Sequence, residues 1–243
     1  MTARETHQAQ WQALKDKPLR HKLEHIFTYY WAAILGCVFL IVFLTSWIGG
    51  ALSQKDTALS GYLLNGITRA SYDGDFTQAF MDHQQIDSEK YHFKLTSDTS
   101  YSSTDVSDTT VAVMESIVVQ TYAQELDFLV VDLENYPVFS AYYMEMNTIL
   151  SKEQLLKWKD HFIYVEKEAL EQLTSGSLDE VVLPTYYSST DGLKNPIPMG
   201  IRLPEDCKLL DAYTYMSKDV IFGFTRSIQN MENTVAFLEY IMG

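Results

Sequence analysis

The sequence of 243 residues predicts an α/β protein: one N-terminal transmembrane helix, then a layered outer domain with a mostly parallel sheet. Three observations carry that expectation. No charged residue occurs from Ile26 to Leu52. Beyond that run, strand-like segments alternate with helical stripes, the order that builds parallel sheets with helices on their faces. One strand-like segment, Asp127–Leu133, is apolar almost throughout, as a strand buried on both faces has to be.

The segment 26–52 is long enough to cross a hydrocarbon layer of about 30 Å, even when tilted. Tyr29, Tyr30 and Trp31 at one end and Trp47 at the other suit the two membrane interfaces. Residues 1–25 carry five basic and three acidic groups, and residues 53–243 carry 13 basic and 29 acidic. The excess of Lys and Arg before the span places the N-terminus in the cytoplasm and 53–243 outside. Residues 1–25 then form a cytoplasmic juxtamembrane segment, with Trp11, Leu14, Leu19 and Leu23 among charges that suit anionic headgroups. The alternatives are a signal cleaved after Gly49-Gly50-Ala51, a lipoprotein signal around Cys37, and a buried core helix. The apolar run of 23 residues before Gly49 exceeds a signal's usual apolar core, and it has no polar face. The uncleaved anchor is the favoured reading.

In the outer domain each element has its own signal. Thr57–Gly66 reads as a first strand ending in a turn. Asp75–Gln85 reads as a helix, with Asp75 as its cap and Phe76 and Phe80 one turn apart. Lys90–Leu95 alternates as a strand, and Thr96–Asp108 is rich in Ser, Thr and Asp, as a loop would be. Val111, Met114, Ile117, Val118 and Tyr122 form a helical stripe within 108–126. Asn135–Met144 accepts Pro137 in a first helical turn. Ser151 and Gln154 spell a capping box that opens the helix Ser151–Asp160. Phe162–Val165 is a short strand, Lys167–Thr174 a helix that stops at Gly176, and Ser175–Pro196 a loop. Ile197–Leu203 and Asp219–Thr225 read as strands. Met231–Met242 is a helix with Val235, Leu238 and Ile241 on one face.

The run Glu125-Leu126-Asp127-Phe128-Leu129-Val130-Val131-Asp132 is similar to an acidic, then apolar strand of bacterial extracellular solute-binding proteins. Phe139 and the segment Ile149-Leu150-Ser151-Lys152-Glu153-Gln154-Leu155 resemble the helix and loop that follow it. Ile221-Phe222-Gly223-Phe224, then Asn230, Glu232 and Ala236–Tyr240, resemble the late strand and closing helix. The chain departs from that family in length, since 53–243 is short for a two-lobed protein, and in its anchor. It therefore looks most like single-pass membrane proteins of Gram-positive bacteria that carry a reduced solute-binding-like domain. That resemblance implies a surface protein that binds a small ligand, beside a transporter or another membrane protein.

The chemistry of the sequence narrows the function further. A net charge of −14 disfavours nucleic acid as a partner, because phosphates are repelled. Two cysteines, Cys37 and Cys207, do not make a disulfide scaffold. No nucleotide-binding, nucleophile-elbow or zinc-protease motif occurs, so no catalytic residue and no cofactor is assigned and the chain is read as a non-enzyme. The six histidines lack metal-ligand spacing, and Asp73-Gly74-Asp75 lacks the rest of a calcium loop. In a parallel sheet, ligands bind beyond the carboxyl ends of the strands. By that rule Asn65, Asp98, Asp132, Glu134, Tyr136 and Arg226 are the candidate ligand residues. The pairs Tyr142-Tyr143 and Tyr186-Tyr187 are candidates for a partner surface, because tyrosine joins apolar area to a polar tip. The expected function is a membrane-anchored outer binding module for a small ligand or partner protein. The alternative is an assembly subunit of a membrane complex with no small ligand.

Overall fold

The computed structural model describes residue 18 and residues 31–32, 35–45, 55–105, 107–175 and 183–243. Met1–Gln54 and Lys55–Gly243 are separate units. In the first, residues 35–45 are helical, and Phe39, Ile41, Val42 and Phe43 are each at least 59% exposed. Thr45 turns its hydroxyl back onto the carbonyls of Ile41 and Val42, at 2.8 and 3.0 Å. Among the described residues no helix is long and apolar enough to cross a membrane. Much of the expected span 26–52 lies outside the described residues, and so does nearly all of the juxtamembrane segment 1–25.

The second unit is built on a six-stranded sheet. In chain order its strands are β1 (Asp56–Leu64), β3 (Tyr91–Thr99), β4 (Phe128–Asp132), β5 (Phe162–Glu166), β6 (Pro196–Arg202) and β8 (Val220–Phe224). Two residues each, β2 (Ile67–Thr68) and β7 (Tyr213–Thr214) pair as a small antiparallel ribbon. Across the large sheet the order is β3-β1-β4-β8-β6-β5. β3, β1 and β4 run parallel, and β8, β6 and β5 follow with alternating direction, so the sheet is mixed.

The period of two along the central strands divides the core. Phe128 and Val130 of β4 face one layer, and Leu129 and Val131 face the other. β8 does the same with Phe222 and Phe224 against Ile221. On the first face lie α1 (Phe76–His83), α6 (Lys208–Ala212) and α7 (Met231–Met242). Their contact is aromatic: Phe237 stacks on Phe128 at 4.8 Å and meets Phe80 edge-on at 5.1 Å. A Cβ at Gly61 would run into the Phe128 ring, so β1 needs glycine there to let that ring lie flat. On the second face lie α2 (Asp108–Tyr122), a 3-10 helix (Tyr136–Tyr142) and α5 (Lys167–Ser175). The short helices α3 (Met146–Ile149) and α4 (Lys152–Lys157) lead from the second layer into β5.

Local signals fix the helix starts as the sequence predicts. Asp75 caps α1, and the bond it accepts from the Thr77 hydroxyl, with those from the amides of Gln78 and Thr77, holds its carboxyl below the usual carboxylate range. Ser151 and Gln154 close the capping box of α4. Three expectations need correction. The loop over 96–108 begins later, because Thr96–Thr99 continue β3 and pair with Tyr62 and Leu64 of β1. Helix 108–126 stops at Tyr122, since Gln124 takes a positive φ of 59° and the chain turns into β4. The helical segment expected over 135–144 is shorter, a 3-10 helix of residues 136–142 with Pro137 in its first turn.

Candidate functional site

β1, β3 and β4 end side by side, and the turns that leave them close over a cavity of about 340 Å³. Asn65 ends β1 in the left-handed region, at φ 62°, a conformation asparagine tolerates better than most residues. That turn aims its side chain along the sheet edge. The amide oxygen accepts from the N–H of Tyr101 at 2.7 Å, and Nδ2 donates to the Tyr101 carbonyl at 2.9 Å. Nδ2 also donates to Asp132 Oδ2 at 2.8 Å. Asp132 is buried at the end of β4 and accepts from the backbone N–H of Asn135 at 3.0 Å and from its Nδ2 at 2.9 Å. Asn135 in turn accepts from the N–H of Ser103 at 3.2 Å.

Asp132 is thus the hub that ties the ends of β1 and β4 to the loop after β3. Donors that carry no charge satisfy it, so the carboxylate keeps its negative field while staying hydrogen-bonded. Its charge acts through the protein on two buried phenols: with desolvation as the larger cause, it helps raise the Tyr143 and Tyr215 hydroxyls well above their ordinary value. The hydroxyls of Ser100, Ser102 and Ser217 and the exposed carboxylate of Glu134 complete the walls, and the wholly exposed Met216 stands at the mouth. Among the described residues no Lys or Arg lines this cavity. Its chemistry suits a neutral hydroxyl-bearing or cationic molecule and opposes an anion.

Asn65, Asp132 and Glu134 therefore come together as the sequence predicts. Asp98 stands beside them with its carboxylate turned away. It accepts from the Ser97 hydroxyl at 2.7 Å and from the N–H and hydroxyl of Thr68 at 2.9 and 2.8 Å, and these bonds hold its carboxyl below the usual range. Asp98 pins the β2–β7 ribbon to the sheet. Tyr136 is a core residue: fully buried, it donates to the Met199 carbonyl at 2.9 Å and stacks on Tyr143 at 4.1 Å. Arg226 lies at the other edge. β8 runs antiparallel to β4, with Phe224 opposite Phe128 and Val220 opposite Asp132, so the residues after β8 sit where β4 begins. Strand direction is absent from the periodicity that located β8.

The two tyrosine pairs form no exposed patch. Tyr143 is fully buried and Tyr142 half-buried; Tyr186 is half-buried, donating to Ser140 Oγ at 3.0 Å, and Tyr187 is exposed. The Tyr136–Tyr143 stack rests on strand glycines: a Cβ at Gly223 would stand 2.5 Å from the Tyr136 hydroxyl and 2.7 Å from a Tyr143 ring carbon. Burial pushes the Tyr186 hydroxyl up to about 12.

The sequence reading missed Asn135 and Tyr101. The spacing Asp132-x-x-Asn135, a carboxylate taking an N–H three residues on, is a turn signal that locates the first. Tyr101 contributes through its backbone, which leaves no trace in residue type. Among the described residues no group of three or more His, Cys, Asp or Glu is placed to hold a metal ion. No family model, no curated protein and no solved structure matches this chain.

Proposed function

We propose that the chain is a single-pass membrane protein whose outer domain, 53–243, binds a small polar ligand at the carboxyl ends of its parallel strands. The observation that carries this reading is the Asp132 network. A buried carboxylate held by Asn65 and Asn135 forms one wall of a hydroxyl-rich cavity at the place where parallel strands present ligands. The anchor rests on the charge-free run 26–52 and the basic flank before it, with the N-terminus in the cytoplasm and the domain outside. The exposed apolar side chains of residues 35–45 and the self-bonded Thr45 hydroxyl suit a lipid environment. The resemblance to solute-binding domains supports the same reading, with a transporter or another membrane protein as neighbour. In this reading the domain is a binding module, with no catalytic residue and no cofactor assigned to it.

The test uses the full chain in lipid nanodiscs and a panel of monosaccharides and primary amines. A member of the panel raises the melting temperature of the wild type and leaves Asp132→Ala unmoved. A panel that shifts neither protein, or both equally, overturns the ligand site. Extraction of the chain from membranes by alkaline carbonate overturns the anchor.

One observation favours the assembly-subunit reading. On α2, Val111, Val119 and Tyr122 are 46%, 64% and 80% exposed along one side of the helix. Such a stripe suits a neighbouring protein in the membrane plane. Stoichiometric co-purification of a membrane protein in mild detergent, lost on Val119→Asp, supports that alternative.

A further inference from the structure

A second cavity, of about 440 Å³, opens where β8 ends, and its chemistry differs from that of the Asp132 site. Its floor is apolar: Tyr143, Met199, Ile197 and Leu170 are each at most 9% exposed. Its rim carries four charges that balance, Lys167 and Arg226 against Glu145 and Glu171. Two of them satisfy each other, as Lys167 Nζ lies 3.9 Å from Glu171 across one helical turn of α5. The other two do not. Arg226 is pinned by its backbone N–H, which donates to the Tyr142 carbonyl at 2.7 Å, and by Nε, which donates to the Tyr143 carbonyl at 3.0 Å. Its Nη groups make no hydrogen bond or ion pair among the described residues. Glu145 uses its backbone carbonyl to receive the Thr148 hydroxyl at 2.6 Å, while its carboxylate makes no hydrogen bond or ion pair among the described residues.

A guanidinium with a fixed orientation and a carboxylate, both facing one apolar floor and not paired with each other, are complementary to a molecule that brings the opposite charges. We infer that this cavity binds a small zwitterion with an apolar tail. The ligand's carboxylate takes the Arg226 Nη groups in charge-assisted bonds, its ammonium takes Glu145, and its tail covers Leu170, Ile197 and Met199. Each single-charge alternative is disfavoured by the same rim. A plain anion meets Glu145, Glu171 and a domain with 29 acidic against 13 basic residues. A plain cation meets Arg226 and Lys167 and leaves the guanidinium without a partner. A zwitterion neutralises both leftover groups. The inference is independent of the Asp132 site, in whose walls no basic residue stands among the described residues.

The probe is L-leucine, titrated calorimetrically into the full chain in nanodiscs, with 4-methylpentanoate and 3-methylbutylamine as the same tail bearing one charge each. Leucine is expected to bind, and each half-molecule to bind at least about tenfold more weakly. Glu145→Gln and Arg226→Gln are each expected to weaken leucine about tenfold or more. Because Arg226 also holds the Tyr143 carbonyl, Glu145→Gln is the deciding variant: its carboxylate makes no hydrogen bond or ion pair among the described residues. Absence of leucine binding up to about 10 mM overturns the inference. So does binding that Glu145→Gln leaves intact, and so does equal affinity for leucine and its two halves.

Discussion

Asp127 and Asp132 stand at the two ends of the same strand, both buried, and each is satisfied by donors that carry no charge. Asp127 accepts from the N–H groups of Ser60 and Gln229 at 2.8 Å each, of Asn230 at 3.0 Å, and from Asn230 Nδ2 at 3.1 Å. It joins β1 to the start of α7, as Asp132 joins β1 to the loop after β3. One end of β4 is a structural latch and the other is the wall of a cavity. Asp127→Ala strands three backbone N–H groups and is expected to cost about 3 kcal/mol. Asp132→Ala strands one backbone N–H, that of Asn135, beside side-chain amides that can turn to water, and is expected to cost about 1–2 kcal/mol while abolishing ligand response. Urea unfolding of the two variants checks the order; equal losses would contradict the division of labour.

Gly223 supports the Tyr136–Tyr143 stack by having no side chain. Gly223→Ala places a methyl against both rings, and is expected to destabilise the domain by about 1–3 kcal/mol with weakened near-UV circular dichroism. A neutral effect would mean that the stack can move off β8.

Burial lifts the hydroxyls of Tyr186 and Tyr213 from the ordinary 10.0 to about 12, with Asp98 and Asp75 adding to the burial of Tyr213. The folded state holds these protons more tightly than the unfolded state. Stability from both is complete below pH 10 and is lost as pH rises towards 12. The urea midpoint is expected to fall between about pH 10 and about pH 12, and to fall less in Tyr186→Phe. A midpoint that is flat over that window contradicts the burial of both phenols.

Cys207 is 2% exposed, and burial pushes its thiol up to about 11, so little thiolate forms at neutral pH. In a Cys37→Ser background, a thiol reagent is expected to react with the folded protein only at the rate of opening, and quickly in denaturant. Fast labelling of the native chain would show that α6 lifts from the sheet.

Legibility of this fold varies by the kind of signal. Asp75 and the Ser151–Gln154 box act within one helical turn, so residue identity alone locates both helix starts. The apolar run of β4 is visible because burial on both faces suppresses alternation. Asn65 and Asp132 are recoverable for the same reason: strand ends can be counted along the chain. Arg226 is misplaced because its position depends on the direction of β8, which its partner strands decide. Tyr143 is misread as surface because the glycines that make room for its stack on Tyr136, Gly200 and Gly223, lie in other elements. The opposed charges of Glu145 and Arg226 are 81 residues apart, and nothing local links them.

The position of β8 also governs how the domain comes into being. β8 is made after the other five strands, yet it lies between β4 and β6 and joins the parallel half of the sheet to the antiparallel half. Until residues 220–224 have left the ribosome, β4 has one open side and the two aromatic layers have no shared floor. A growing chain therefore carries an unfinished sheet for most of its synthesis, and its closing contacts span long stretches of sequence, the arrangement that slows folding. Folding of this domain is completed only once β8 has emerged and taken its place between β4 and β6.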